Sequence, residues 1–253
     1  MKLYVIDGGI IDILDWSLFD PAASPGTHRR LAAPAFLVEH RAGTLLWDAG
    51  LGDSLLAHPQ GREIEGIARF TVTAGLADQL VGIGYAPCQI RYLALSHFHP
   101  DHVGNANLFA SAELLVQEDE YAAAFGADAA SFGYDPGGYA SLRETRVTRL
   151  QGDHDVFGDG TVLIKRYPGH TPGSQSLLLH LPETGQVLIS GDLAHSRHNW
   201  DHDVVPGLNF SKEATLASLH AARGDLADSG AQLWIQHEYD HWAAARHAPA
   251  CYA

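Results

Sequence analysis

The run His97-Phe98-His99-Pro100-Asp101-His102 puts three imidazoles and a carboxylate into six positions. Imidazole nitrogen and carboxylate oxygen are ligands for zinc, and also for manganese, iron or cobalt. Four such side chains in six residues cannot all face one way on a regular helix or strand. On a tight loop they can divide between two ions. Three more ligand-type residues follow in similar settings: His170 in Gly169-His170-Thr171-Pro172-Gly173-Ser174, Asp192 in Ser190-Gly191-Asp192, and His237 after Gln236.

Each of these four sites comes just after a short apolar run: Ile90–Leu95, Val162–Arg166, Gln186–Ile189 and Gln232–Ile235. Runs of this length and composition read as β-strands. Strands lying side by side would deliver all seven side chains to one rim. Five further strands are expected at Lys2–Ile6, Ala35–Glu39, Thr44–Trp47, Glu113–Val116 and Ser176–Leu179. Helical segments are expected at Ala74–Val81, Asp119–Phe125 and Lys212–Leu226, the last with Ser211 as N-cap and Glu213 suiting the helix dipole. Ser24–Gly26 and Tyr134–Gly138 read as surface loops. Strands in runs, with helices between the runs, predict an α/β fold: an αββα sandwich of two mixed β-sheets flanked by helices. No repeat or linker divides residues 1–253, so a single domain is expected. The isolated histidines His28, His40, His58, His154, His180 and His220 are read as surface or edge residues.

Composition narrows the functional classes. Hydrophobic residues at 46% and charged residues at 18% exclude a disordered chain. A net charge of −14 disfavours a general nucleic-acid binder, whose phosphates it would repel. Cys88 and Cys251 form no spaced motif, which excludes a disulfide framework and a cysteine zinc finger. No apolar stretch of about 18 residues is present, so no membrane span is expected. The N-terminal segment reads as the first strands of a fold, not a signal peptide, and a cytoplasmic location is expected.

His237-Glu238-Tyr239-Asp240-His241 also spells the HExxH motif of zinc proteases. That motif works only on a helix, where positions four apart share a face, and Gln232–Ile235 before it reads as a strand. Ala244 stands where the extended motif has Gly, and the only methionine is Met1. His237 is therefore assigned to the strand-end cluster, with His241 and His247 peripheral.

His97-x-His99-x-Asp101-His102, the Gly-His-Thr-Pro-Gly-Ser stretch at His170, Ser-Gly-Asp at Asp192 and the late His237 together resemble the metallo-β-lactamase superfamily over nearly the whole chain. The Asp48-Ala49-Gly50 turn resembles that family's early structural turn, and Asp48 is read as a turn-capping carboxylate. The resemblance implies that His97, His99 and His170 hold one metal. It implies that Asp101, His102 and His237 hold a second, and that Asp192 bridges the two along with a hydroxide. Two divalent ions are implied, zinc first, with manganese, iron and cobalt as alternatives and no organic cofactor.

Asp192 stands where the zinc β-lactamases proper carry Cys, which disfavours that activity. The complete second ligand set disfavours one-iron dioxygenases of the superfamily. Spacings of 68, 22 and 45 residues from His102 to His170, Asp192 and His237 in turn are most similar to those of N-acyl-homoserine lactonases. The early apolar segment with Ile13, Leu14, Trp16, Leu18 and Phe19 corresponds to a loop that in those lactonases helps line the acyl-chain pocket. The resemblance thus implies hydrolytic opening of a lactone ring by a metal-bridging hydroxide, with Asp101 moving the proton to the leaving oxygen. The alternatives are another lactone of the pyridoxolactone type, or a thioester or phosphoester. His195 stands where these lactonases commonly present a substrate-facing Tyr, and it is expected to orient or protonate the substrate. The expected partner is a small lactone, and the expected assembly a monomer or homodimer.

Overall fold

The computed structural model of the protein describes residues 1–64 and 66–253. A six-stranded sheet runs in the order β1 (Lys2–Ile6), β4 (Ala35–His40), β5 (Gly43–Trp47), β8 (Tyr92–Ala94), β9 (Glu113–Gln117), β10 (Val147–Leu150). A five-stranded sheet runs β11 (His154–Asp155), β12 (Val162–Arg166), β13 (Gln175–Leu181), β14 (Gly185–Ile189), β15 (Gln232–Trp234). Both are mixed, with the parallel pairs at β5–β8–β9–β10 and at β14–β15.

Strand alternation explains the layers. Leu45 and Trp47 point into the space between the sheets, where Val162, Ile164, Leu177, Leu179, Val187 and Ile189 meet them. Leu46, from the opposite face of β5, packs outward with Leu93 and Leu114 against α1 (Leu76–Gly82), through Leu76 and Leu80. On the far side, Leu178 and Leu188 pack on Leu219 and Ala222 of α5 (Lys212–Ser229). A period of two on each strand buries both faces of each sheet, which yields the expected αββα sandwich.

The third sheet was not expected. β3 (Arg29–Ala32), β2 (Ile10–Ile13), β7 (Ala68–Thr71) and β6 (Arg62–Ile64) form a four-stranded antiparallel layer in that order. Its inner face buries Ile11, Ile13, Leu31 and Ala68. Its outer face carries charges in cross-strand register, with Arg30 2.6 Å from Asp12 and Arg69 3.4 Å from Glu63. Such short, half-charged segments have little apolar signal of their own and are strands because they pair.

Other boundaries moved for local reasons. The strand expected over Ile90–Leu95 shortens to β8, because Ile90 still closes the helical turn begun at Pro87. The two-residue β11 and the polar β10 gave no pattern. Three short helices are additional: α2 (Pro100–Val103), α4 (Arg197–His202) and α6 (Tyr239–Ala244). The expected helix at Asp119–Phe125 forms as α3 (Glu118–Phe125). The Ser211 cap accepts from the Ala214 amide at 3.2 Å, as anticipated. Pro136–Arg143, which overlaps the expected Tyr134–Gly138 loop, folds into 3-10 turns. No helix among the described residues is long and apolar enough to cross a membrane.

Candidate metal centre

Parallel pairing sets the stage. β5 and β8 align Trp47 with Ala94, and β14 and β15 align Ile189 with Trp234, so each pair ends at a common edge. Asp48 follows the first strand, Ser96 and His97 the second, Asp192 the third, and Gln236 and His237 the fourth. The sandwich is stitched together there. Trp47 Nε1 donates to Gln236 Oε1 at 3.1 Å, and Gln236 Nε2 donates to Asp48 Oδ2 at 2.6 Å. His170 arrives from the turn between β12 and β13.

The seven side chains singled out in the sequence meet at this edge as two clusters of potential ligand atoms. One holds His97, His99, His170 and Asp192, and the other holds Asp101, His102 and His237. In the first, His99 Nδ1 lies 2.8 Å from His97 Nε2 and 3.0 Å from His170 Nε2. In the second, His102 Nε2 lies 3.2 Å from His237 Nε2, and Asp101 Oδ2 is 3.6 and 3.7 Å from those same two atoms. Asp192 reaches both: Oδ2 is 3.2 Å from His170 Nε2, and Oδ1 is 2.9 Å from His237 Nε2 and 3.1 Å from His102 Nε2.

These short distances fit cations better than hydrogen bonds. Asp192 Oδ1 accepts no hydrogen bond among the described residues despite its two close imidazole nitrogens. The outer nitrogens are already engaged: His237 Nδ1 with the Ala32 carbonyl at 2.6 Å, His99 Nε2 with the Phe132 carbonyl at 2.9 Å. His102 Nδ1 lies 2.8 Å from Asp48 Oδ2. A ring nitrogen that donates outward leaves the other nitrogen as a lone pair facing inward. His99, and His102 and His237 in their neutral forms, can therefore turn a lone pair inward, where a bound cation would receive it.

The charges of the side chains agree. Burial pushes the pKa of His97 and His170 well below the ordinary histidine value and lowers that of His99. All three are neutral, ready-made ligands. Burial also works against protonation of His102 and His237, but there the carboxylates prevail, Asp192 foremost, and hold both pKa values above the ordinary range. Burial alone would raise the Asp192 pKa, yet His237, His102, His195 and His97 hold it well below the usual carboxylate value. Asp192 is ionised. Cations at this centre would stand in for the protons of the second cluster.

Asp48 does more than cap its turn. It is fully buried at a left-handed φ of 57° and accepts from the Ser96 amide at 2.6 Å and from Gln236. Its contact to His102 fixes the orientation of that ring.

His195 lies at the centre's inner wall. Its Nε2 is 3.0 Å from Asp192 Oδ2, and its ring stacks at 14° on His237 and packs against Phe19, with centroids 5.6 and 5.0 Å apart. The residue is buried, and Nδ1 has no hydrogen-bond partner among the described residues. The decoy motif resolves as expected: His237 precedes α6, while His241 lies on that helix and packs edge-on against Trp234 at 5.2 Å. His247 binds the Trp242 carbonyl. The six isolated histidines are exposed or partly exposed.

A cavity of about 600 Å³ opens onto the centre, with His99, Asp101, His170, Asp192, His195 and His237 at its floor. Its walls are apolar: Ile11, Ile13, Phe19, Leu31, Phe70, Phe132 and Phe210 among them. Of the early apolar segment, Ile13 and Phe19 line the cavity, whereas Trp16 supports Phe19 from behind with stacked rings 4.9 Å apart. Phe132, at the end of the 3-10 turn Ala129–Phe132, and Phe210, from an irregular segment, come from stretches that carried no signal in the sequence.

The sequence pattern of the metallo-beta-lactamase superfamily matches residues 28–228. The N-acyl homoserine lactonase AttM of Agrobacterium fabrum is 31% identical over 241 residues, 90% of each chain. The N-acyl homoserine lactonase AiiA of Bacillus thuringiensis subsp. kurstaki is 27% identical over 253 residues, 98% of this chain and 97% of the relative. A crystal structure of a mutant of B. thuringiensis AiiA with N-decanoyl-L-homoserine at its active site superimposes with a TM-score of 0.86 at 28% identity, covering 100% of this chain and 98% of that one. An N-acyl homoserine lactone hydrolase with the product N-hexanoyl-L-homoserine at its catalytic metal centre gives the same TM-score, identity and coverage. By the extent of the sequence match and by the ligand-rich edge of its sandwich, the chain belongs to the metallo-beta-lactamase superfamily.

Proposed function

We propose that this protein is a metal-dependent hydrolase that opens the ring of N-acyl homoserine lactones. The observation that carries the reading is the junction of a bridged, two-cluster ligand set with a 600 Å³ apolar cavity. A polar head of reactive ester and a long apolar tail match that junction. The product-bound solved relatives support the same substrate class.

In this reading His97, His99 and His170 hold one ion, Asp101, His102 and His237 hold the other, and Asp192 serves both. The donor set is nitrogen and carboxylate oxygen with no thiolate, which suits Zn²⁺ and also Mn²⁺, Fe²⁺ or Co²⁺. When bound, the two ions polarise the lactone carbonyl and make a water molecule acidic enough to attack at neutral pH.

The protein's own side chains do the rest. The apolar walls take the acyl chain and thereby set the ester over the floor. Each methylene removed from water contributes about 0.8 kcal/mol, so tail burial supplies affinity. Asp101 is partly exposed to the cavity, and its carboxylate can take a proton from the attacking water and pass it to the ring oxygen as that leaves. His195 faces the same cavity, and an imidazole N–H there can donate to the carbonyl or to the leaving oxygen. Phe19 and His237 hold the His195 ring between them, which fixes the direction of that donor.

A panel of chromogenic substrates tests the reading. The Zn²⁺-, Mn²⁺- or Co²⁺-loaded protein is expected to turn over lactones well ahead of a thioester and a phosphodiester, and to leave β-lactams intact. Faster turnover of the thioester or phosphodiester overturns the lactonase assignment.

A further inference from the structure

Glu120 is a carboxylate with no part in the proposed chemistry, yet it is fully buried. It lies in the first turn of α3. Its Oε1 accepts from the Phe98 amide at 3.1 Å and from the Tyr134 hydroxyl at 2.7 Å. Its Oε2 accepts from the Thr171 hydroxyl at 2.8 Å and from the Gly173 amide at 2.9 Å. Burial raises the pKa of this carboxyl, and the four donors, which match the four lone-pair positions of a carboxylate, work against that rise.

The origin of the four donors is informative. Phe98 lies between His97 and His99. Thr171 and Gly173 belong to the turn that carries His170. Tyr134 lies two residues beyond Phe132, whose carbonyl binds His99 Nε2, and its ring packs 5.5 Å from that of His99. The segments that supply His97, His99 and His170, and the one that steadies His99, are thus tied to Glu120, while Ser96 braces His97 from its other side at 3.0 Å. The close approach is built in, since a Cβ at Gly173 would sit 2.5 Å from the Glu120 backbone nitrogen. The second cluster is organised by other groups: Asp48 on His102 and the Ala32 carbonyl on His237.

We propose that Glu120 is the positioning residue of the first metal site, fixing the segments that carry His97, His99 and His170 relative to one another, while His102 of the second site is oriented chiefly by Asp48. The proposal rests on the two-metal reading above, but not on the lactone substrate. Glu120→Gln keeps the shape and removes two acceptor positions. The hydroxyls of Tyr134 and Thr171 can turn to accept from the new amide. The backbone amides of Phe98 and Gly173 cannot both find an acceptor, and a buried donor without one displaces its loop.

The experiment is metal titration against a chelator, combined with anomalous diffraction to locate the ions, on wild type and on Glu120→Gln. The expected result is a roughly 10- to 100-fold loss of affinity for the ion beside His97, His99 and His170. The ion beside His102 and His237 should lose distinctly less, with some loss passed on through the shared Asp192. Thr171→Val and Tyr134→Phe, which each delete one donor, should move the same site in the same direction by less. They decide the matter if Glu120→Gln does not fold. Unchanged affinity at the first site in the folded variants, or equal loss at both sites, overturns the proposal. Wild-type protein that holds no ion overturns the metal reading and the proposal with it.

Discussion

Asp192 Oδ1 lies 2.9 Å from His237 Nε2, while its Oδ2 faces His170 and His195. One carboxylate therefore spans both ligand clusters, and no other side chain of the seven does so. Asp192→Asn keeps the size and removes the charge that would neutralise two cations. Metal analysis of this variant should give far less than two ions per chain, with weakened binding at both sites. Loss confined to one site would contradict the bridging role.

Asp48 and His102 form the corresponding pair one layer out. Asn tolerates the left-handed backbone at position 48, so Asp48→Asn tests the charge without straining the turn. The second site should lose roughly 10- to 100-fold in metal affinity. Isothermal titration with Zn²⁺ measures this, and an unchanged second site would reduce Asp48 to a turn residue.

His195→Ala should lower kcat by roughly 10- to 100-fold, since one positioned proton donor contributes about 10²–10⁴ and the metals can replace part of it. His195→Tyr should keep more activity, because a phenol also donates. Metal content should not change in either variant. Full kcat and an unaltered pH profile in the Ala variant would make His195 only a cavity wall.

The apolar cavity predicts that kcat/KM rises with acyl length while added methylenes remain buried. The expected gain is up to about threefold to fourfold per methylene, from about 0.8 kcal/mol each. Phe70→Ala, which removes part of the wall, should flatten this trend. Steady-state kinetics across butanoyl to dodecanoyl lactones provides the measurement, and a flat profile in wild type would place the acyl tail outside the cavity.

With the metals stripped, stability should peak above the ordinary histidine pKa and fall on both sides. His97, His99 and His170 have depressed pKa values, so the unfolded chain binds more protons as pH drops below about 6.5, and stability is lost there. His102 and His237 have raised pKa values, so their contribution is complete below the unfolded value and is lost as pH climbs through the folded one. Thermal melts of the chelated protein across pH check the sign on each limb. A monotonic rise with pH would show that His102 and His237 are not paired with the carboxylates.

How far the sequence carried depends on where the signal lies. The seven ligand-type residues were legible because ligands cluster in sequence and follow apolar strands. The two large sheets were legible because their strands are buried on both faces. The third sheet was not, since charged pairs such as Arg30–Asp12 cover one face and mask the strand pattern. Glu120 was equally hidden: Glu118, Asp119 and Glu120 are adjacent acids, and only packing tells which of them is buried. Phe132 and Phe210 reach the cavity from segments whose course depends on tertiary contacts.

Incubating the metal-loaded protein with N-decanoyl-L-homoserine lactone and identifying the product by mass spectrometry tests the lactonase activity at its chemical step. The expected product is the ring-opened acyl homoserine, heavier by one water, with the acyl amide intact. Activity should vanish on chelation and return when Zn²⁺ is restored. A protein that holds two ions yet leaves the lactone ring closed, or that cleaves the amide instead, would contradict the lactonase assignment.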